Sequence, residues 1–273
     1  MAHGTLFSST SINATMIIIV NSNEDDVHDH DDKANDDHDV RYDDVDDGDD
    51  HIETYGEYTC GGQKFTVTDG MLISFKELGY FLVRSLLSPE EITKIKTAVE
   101  HERFLQHAFW VDNPDTGLRE SRKVMWRHPG SDVTGMLLRS EKFAGTCEKI
   151  LEGSHRCGRI DHSHEAGYTG ANLTRVEQIK GLCRHKYVEM SPGDALFFHC
   201  NLLHTSGTNV SDTKRWALIP CYNLRSNNPI YEHHHPQYTP LHKVPDTAIM
   251  DCHNFDDLSG KQFNIPGEDK TAS

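Results

Sequence analysis

The hydrophobic positions of this chain follow two different periods between residues 65 and 223. A repeat of three to four residues predicts α-helices, and short continuous apolar runs predict buried β-strands. The predicted helices cover residues 71–78, a segment that begins at Pro89, residues 131–151 and residues 170–182. The predicted strands cover residues 80–83, 195–200 and 216–222. Helices and strands are therefore mixed along one chain.

The boundaries of the first two helices carry their own signals. Gly79 follows the first helix at the position where a left-handed residue commonly ends one. Ser88-Pro89-Glu90-Glu91 is a capping box with proline at the first helical position. The order of helix, Gly79-Tyr80, apolar strand and capped helix favours helices that pack on a sheet, without pointing to a function.

The most informative stretch runs from residue 188 to 223. Pro192-Gly193-Asp194 predicts a turn before the strand at 195–200, and His204 closes the apolar run after it. Arg215 lies 11 positions later, at the start of the next strand. A neutral imidazole suits iron, and a guanidinium binds a carboxylate through two parallel hydrogen bonds. The pair fits a metal enzyme with a dicarboxylate cosubstrate, but spacing alone favours a core histidine and a surface arginine.

The N-terminal region has no comparable pattern. Residues 1–22 are rich in Ser, Thr and Asn and show no helical or strand period, and residues 23–51 are a low-complexity acidic run with interspersed histidines. Such a composition buries too little apolar surface to offset the entropy of ordering, so residues 1–55 are predicted to be a disordered acidic tail. His30-Asp31-Asp32 spells the His-x-Asp pattern of non-haem iron sites, but aspartates this dense produce the match by chance. Weak binding of divalent cations by the tail leaves metal buffering as a minor alternative function.

Charge and cysteine content narrow the class further. The formal net charge of −16 argues against nucleic acid and anionic membranes as partners. Seven cysteines without a CxxC pair are typical of reduced thiols in an intracellular protein. The apolar run at residues 16–20 is too short for a signal peptide or a membrane span. We therefore expect a cytoplasmic protein.

Three segments resemble a known family. They are GSHRCGRIDH (153–162), PGDALFFHCNLLHTSGTN (192–209) and RWALIPCYN (215–223). Together they resemble the C-terminal half of the phytanoyl-CoA dioxygenase superfamily, which comprises Fe(II)- and 2-oxoglutarate-dependent oxygenases. The resemblance is strongest to the branch of ectoine hydroxylase and the free L-proline trans-4-hydroxylases. It implies Fe(II) and 2-oxoglutarate as cofactors, with O2 and a small amino-acid-like molecule as substrates.

The resemblance also implies roles for four residues. His204 matches the distal iron-binding histidine, and Arg215 matches the arginine that pairs with the far carboxylate of 2-oxoglutarate. Ser206 matches a hydroxyl that binds the same carboxylate. Phe198 matches an aromatic side chain that lines the substrate pocket.

One part of the family pattern has no counterpart. The first histidine and the acid of the iron site come as His-x-Asp on a strand upstream of the Gly-Ser-His segment, whereas here the preceding helix runs directly into that segment as CEKILEGSHRCGRIDH. Nearby substitutes are His155, Asp161, His162 and His164, and a second histidine cluster is His233-His234-His235. The resemblance gives both clusters structural roles. With one histidine in place of three ligands, iron should not be held tightly.

These observations predict an α+β protein with N-terminal helices and a truncated double-stranded β-helix of the jelly-roll, cupin-like type. The domain spans residues 65–250, between the tail at 1–55 and a polar C-terminal tail at 251–273. Loss of core strands should leave open sheet edges and exposed apolar faces. The expected function is that of a hydroxylase family acting on a small amino acid such as free L-proline, with this chain inactive. The alternative is a noncatalytic splice variant or pseudoenzyme that associates with a full-length paralogue.

Overall fold

A computed structural model describes the protein over ten ranges. They are residues 14–21, 56–62, 64–112, 119–146, 162–165, 168–180, 183, 186–204, 214–225 and 240–263.

The first two helices form as their sequence signals predict. Helix α1 (Asp69–Leu78) begins after Thr68, whose side chain accepts a hydrogen bond from the Met71 amide, and it ends at Gly79 with φ 82°. Helix α2 (Pro89–Val99) carries the complete capping box, because Ser88 and Glu91 each accept from the other's backbone amide. A short helix α3 (Glu102–Leu105) follows.

The predicted helix over residues 131–151 is wrong at Ser140. Helix α4 (Val133–Arg139) ends there, and a short π-helix (Glu141–Gly145) continues after Ser140 has taken an extended conformation with ψ 152°. The cause is the segment around Val244, which pairs with Ser140. The Val244 amide donates to the Arg139 carbonyl and the Glu141 amide donates to the Val244 carbonyl, so both groups are removed from the helix ladder.

One six-stranded sheet organises the described chain. Its strands are β1 (Ala14–Asn21), β2 (Glu57–Thr59), β3 (Tyr80–Arg84), β8 (Ala195–Phe198), β9 (Trp216–Leu218) and β10 (Cys221–Tyr222). The order is β10-β1-β8-β3-β2, with β9 also paired to β1. Only β2 and β3 run parallel; the other pairs are antiparallel. The strand predicted over residues 216–222 is thus divided in two around Pro220, which lacks a backbone donor for the ladder.

The prediction that residues 1–22 contain no strand is wrong for Ala14–Asn21. This segment is an inner strand of the sheet, and Ile18 is completely buried in the core. The apolar run at residues 16–20 has the composition of a buried strand, but its pairing partners lie about 180 positions later in the chain. The strand also gives β8 a neighbour on each side, so β8 is not an open edge. The remaining residues of the predicted tail, 1–13 and 22–55, lie outside the described ranges.

The core lies between this sheet and helices α2 and α4. Its centre is aromatic: the rings of Phe81 and Phe197 stack with centroids 4.9 Å apart, and Phe143 packs 6.4 Å from Phe197. Ile95 of α2 and Ile18 of β1 are fully buried in the same cluster. Residues 195–198 therefore run through the middle of the molecule, which fixes the start of the segment that leads to His204.

The C-terminal segment is part of the folded unit up to Phe263. Helix α6 (Ala248–Asp251) buries Ile249 completely, and Lys261 is also fully buried. The prediction of a polar tail from residue 251 is therefore wrong for residues 252–263, because the apolar side chains Phe255, Leu258 and Phe263 pack against the core. Residues 264–273 lie outside the described ranges.

The remaining elements are two β-hairpins and one helix. The hairpins are β4 (Phe109–Asp112) with β5 (Arg119–Lys123), and β6 (His162–Glu165) with β7 (Tyr168–Ala171). Helix α5 (Leu173–Lys180) matches the helix predicted over residues 170–182, with Val176 buried. The mixed α and β content is confirmed. Within the described ranges the strands form one sheet and two hairpins, so a double-stranded β-helix stays a prediction.

Candidate functional site

The turn before β8 is anchored by Asp194. Its carboxylate accepts hydrogen bonds from the backbone amides of Ser191 and Ser85, both at 2.9 Å, and from the Arg84 guanidinium at 2.7 Å. Gly193 precedes it with φ 95°, and a Cβ there would lie 2.7 Å from the Leu87 carbonyl oxygen. The Pro-Gly-Asp sequence therefore locks the start of β8 onto the end of β3.

Arg84 extends this anchor to the edge of the sheet. It donates to the Glu57 carboxylate at 2.6 Å and to the Glu189 carbonyl at 2.8 Å, in addition to Asp194. Burial alone would lower the pKa of Arg84, but the hydrogen bonds to Glu57 and Asp194 outweigh it and raise the pKa. The guanidinium stays charged and holds three parts of the chain together.

Phe198 and His204 come together at the far end of β8. Phe198, the last residue of the strand, is 1% exposed, and its ring meets the His204 ring edge-on with centroids 4.7 Å apart. His204 is half-buried. The structure thus places the predicted pocket aromatic directly against the predicted metal-binding histidine.

The His204 ring has a defined tautomer. Its Nδ1 lies 2.9 Å from the Leu202 carbonyl oxygen, which can only accept, so Nδ1 carries the proton and donates. Burial lowers the pKa of His204, although the bond to Leu202 acts in the opposite direction. The ring is therefore neutral near pH 7, and its Nε2 keeps a lone pair. This is the form in which histidine binds a metal ion.

Arg215 lies on the other side of β1. It directly precedes β9 and is exposed, while β8 and β9 both pair with β1 and are second neighbours in the sheet. Two strand spacings, or about 10 Å, separate the backbones of β8 and β9, and the register adds an offset along β1, because Phe198 is opposite Thr15 and Trp216 is opposite Asn21. Six residues of a strand span about 20 Å, so Arg215 lies toward the opposite end of β1 from His204. Ser206 lies outside the described residues, so its predicted role stays a prediction.

Most of the other predicted clusters fall outside the residues that the structure describes. His155, Asp161, His233, His234 and His235 lie outside the described ranges, as does the His30-Asp31-Asp32 match. The backbone of His162 and His164 belongs to strand β6. Across the part of the chain that the structure describes, no group of three or more His, Cys, Asp or Glu side chains could hold a metal ion.

Sequence reasoning missed the residues that lie just beyond Phe198. His199 is 7% exposed, its amide donates to the Gly79 carbonyl, and its Nδ1 accepts from the Asn201 amide at 3.0 Å. Burial raises the pKa of the neighbouring Cys200 thiol to about 11, so this sulfur is a neutral thiol near pH 7. Neither residue has a sequence signal of its own, because the burial of His199 and Cys200 depends on how the chain bends after β8.

A separate cleft of about 500 Å3 lies elsewhere on the molecule. It is lined by Arg103, Gln106 and His107 near α3 and by residues 256–259 with Phe263. None of the predicted site residues lines it.

No described helix has the length and hydrophobicity that a membrane span requires.

Comparison with known proteins points to one superfamily for part of the chain. Residues 127–217, which include Phe198, His204 and Arg215, match the sequence profile of the family described as phytanoyl-CoA dioxygenase (PhyH). The chain is also similar to a protein of Caenorhabditis elegans named "Probable phytanoyl-CoA dioxygenase", with 28% identity over 120 residues. That alignment covers 40% of this chain and 38% of the relative, so the chain spans well under half of the curated relative it matches. Both findings support the phytanoyl-CoA dioxygenase superfamily of oxygenases.

Proposed function

We propose that residues 186–225 retain the cosubstrate half of an oxygenase site, which binds 2-oxoglutarate but does not complete an iron centre. The observation that carries this proposal is the neutral His204 ring, whose Nδ1 donates to the Leu202 carbonyl and which lies edge-on against Phe198. Arg215 supplies the fixed positive charge. Its guanidinium is the group that matches the far carboxylate of 2-oxoglutarate through two parallel hydrogen bonds.

The described residues do not fit the iron of the family. A facial triad requires two histidines and one carboxylate with open positions, and within the described ranges only isolated candidates such as His204 are present. In intact oxygenases of this kind, iron and 2-oxoglutarate together supply the oxidising chemistry, with O2 as the oxidant. In this chain, His204 and Phe198 would shape the pocket and Arg215 would orient the dicarboxylate, without turnover.

The substrate of intact relatives remains part of the proposal. Free L-proline is favoured because the segments at 192–209 and 215–223 resemble the branch of free L-proline hydroxylases. We expect this chain to form no succinate from 2-oxoglutarate in the presence of Fe(II), O2, ascorbate and L-proline. Succinate formed above the proline-free blank would overturn the claim of inactivity.

Binding of 2-oxoglutarate tests the site directly. Calorimetry should give a measurable affinity for the wild-type chain, and Arg215→Lys should weaken it at least tenfold, because lysine keeps the charge but loses the two-pronged geometry. A charge-assisted bond of this kind contributes about 1.5–3 kcal/mol. Arg225→Lys, at an exposed position ten residues later, is the matched control. Equal affinities of wild type and Arg215→Lys, or an equal loss in the control, would contradict the proposal.

A second candidate function is a noncatalytic partner of a full-length paralogue. It is favoured by the lack of a metal-binding group among the described residues, together with exposed apolar side chains at Trp110, Ile219 and Met250. This function predicts a stoichiometric complex when both proteins are mixed at micromolar concentration. A purified chain that is only aggregated, or that elutes apart from the paralogue, would exclude it.

A further inference from the structure

The strand β1 joins the two halves of the candidate site. On one side, Thr15 to Ile18 pair with Phe198 to Ala195 of β8; on the other, Ile18 to Asn21 pair with Leu218 to Trp216 of β9. Within the described ranges, β8 and β9 have no pairing with each other and are connected through β1 alone. We propose that Ala14–Asn21 is a tethered strand whose insertion assembles the site and sets the position of Arg215 relative to His204.

The register of β1 supports this positioning role. Thr15 is opposite Phe198, the residue whose ring contacts His204, and Asn21 is opposite Trp216, the residue after Arg215. One strand therefore determines both ends of the site. If β1 leaves, the backbone groups of β8 and β9 that face it lose their partners, and the spacing of about two strands between them is no longer fixed.

Side-chain packing in the hydrophobic core also holds β1 in place. Ile18 is 0% exposed and belongs to the same core cluster as Phe81, Phe197 and Leu218. Withdrawal of β1 would therefore open the main core as well as the sheet. Insertion of the strand and formation of the site are expected to occur together.

The connection to the rest of the fold is long and highly acidic. Residues 22–56 separate β1 from β2, and this segment contains 16 of the 43 acidic residues of the chain. The entropic cost of closing a loop rises only slowly with its length, so a connection of about 35 residues still makes insertion of the strand an intramolecular step. We call the position between β8 and β9 the slot. Its occupant is accordingly the chain's own N-terminal strand, in preference to that of a second copy.

Cleavage of the tether in the full-length chain tests the inference. A protease recognition sequence inserted after Gly48 allows the folded protein to be cut, and the same insertion after Gly267 is the matched control. We expect the N-terminal fragment to stay bound after cutting, and the same fragment carrying Ile18→Asp to dissociate. Dissociation of the unsubstituted fragment, or retention of the substituted one, would overturn the proposal.

Two readouts separate this inference from the proposed function on which it rests. Labelling with 5-fluorotryptophan gives one 19F resonance for each of the three tryptophans, and Trp216→Phe identifies the one beside Asn21. Loss of the fragment should shift the Trp216 resonance and weaken 2-oxoglutarate binding at least tenfold, and a synthetic peptide of residues 12–23 should restore both. An unchanged Trp216 resonance would overturn the strand assignment. Absence of 2-oxoglutarate binding in the uncut protein would overturn the proposed function alone.

A peptide exchange measurement covers the case in which Ile18→Asp does not fold. Cut wild-type protein should take up a fluorescein-labelled peptide of residues 12–23, saturating at one peptide per chain. No uptake would refute an exchangeable strand. A concentration-dependent dimer of the uncut protein that disappears with the added peptide would show that the slot takes the strand of a second copy, contrary to the proposal.

Discussion

Replacing Lys261 with methionine is expected to destabilise the protein by about 3–5 kcal/mol, the usual cost of breaking a buried ion pair. Lys261 is fully buried, and its ammonium lies 2.9 Å from the Asp132 carboxylate, which is itself 1% exposed. Methionine keeps most of the side-chain stem but leaves the Asp132 charge in the core. That carboxylate would retain only the Thr134 hydroxyl and the Gly135 amide as donors.

The opposite substitution should cost less. Asp132→Asn preserves the helix cap on α4, because asparagine caps as well as aspartate. The Lys261 ammonium would also keep three other partners: the Pro129 carbonyl at 2.5 Å, the Thr134 hydroxyl at 2.9 Å and the Trp126 ring at 4.8 Å. The desolvated cation–π contact alone contributes about 2 kcal/mol. We therefore expect about 3 kcal/mol for Asp132→Asn, at the lower end of the range.

Urea denaturation of the two single variants and the double variant tests this reasoning. Far-UV circular dichroism and tryptophan emission should both follow the transition, since Trp126 contacts Lys261. The double variant should lose about 0.5–3 kcal/mol less than the sum of the single losses, because the partners are in direct contact. A cost below about 1 kcal/mol for Lys261→Met, or strictly additive losses, would refute the argument that the pair is coupled and buried.

Two further predictions concern the segment around β8. Gly193→Ala should cost at least about 2 kcal/mol in a urea titration, because φ 95° disfavours a side chain and the new Cβ would meet the Leu87 carbonyl oxygen at 2.7 Å. Gly260→Ala, at φ 82° with open space around it, isolates the backbone term, and equal losses would contradict the clash. Burial lowers the pKa of His204, so its contribution to stability is present above its ordinary value of about 6.5 and is lost as the pH falls through the folded value. His204→Gln should therefore lose less stability than wild type between pH 7.5 and 5 in urea midpoints, and parallel curves would contradict a buried neutral ring.

Elements with local signals were predictable from the sequence. The Ser88 capping box and the left-handed Gly79 appear where the sequence places them, because caps and turns are determined by a few neighbouring residues. The same holds for the Pro-Gly-Asp turn, although its anchoring by Arg84 is a contact over 110 positions that no local pattern announces. The segment of the candidate site up to Phe198 belongs to this predictable part.

Elements whose structure depends on distant partners were not predictable. The break at Ser140 exists because Val244 takes backbone hydrogen bonds from the helix, and the sequence around Ser140 reads as continuous helix. Lys261 looks like part of a polar tail until Asp132 and Trp126 are placed around it. In both cases a tertiary contact overrides the local preference, as tertiary contacts commonly do.

The strand β1 changes what the predicted loss of the His-x-Asp segment implies for folding. Loss of core strands would leave β8 with an unpaired edge, and such an edge favours aggregation. Ala14–Asn21 instead pairs with β8 over four positions and carries Ile18 into the core, so the edge is closed by a segment from the opposite end of the sequence. Pairing of β8 with β1 would not supply the metal ligands whose loss the sequence predicts, because β1 contains no His, Cys, Asp or Glu. The proposed inactivity is therefore compatible with a stable fold, because pairing on both sides of β8 does not depend on an iron site.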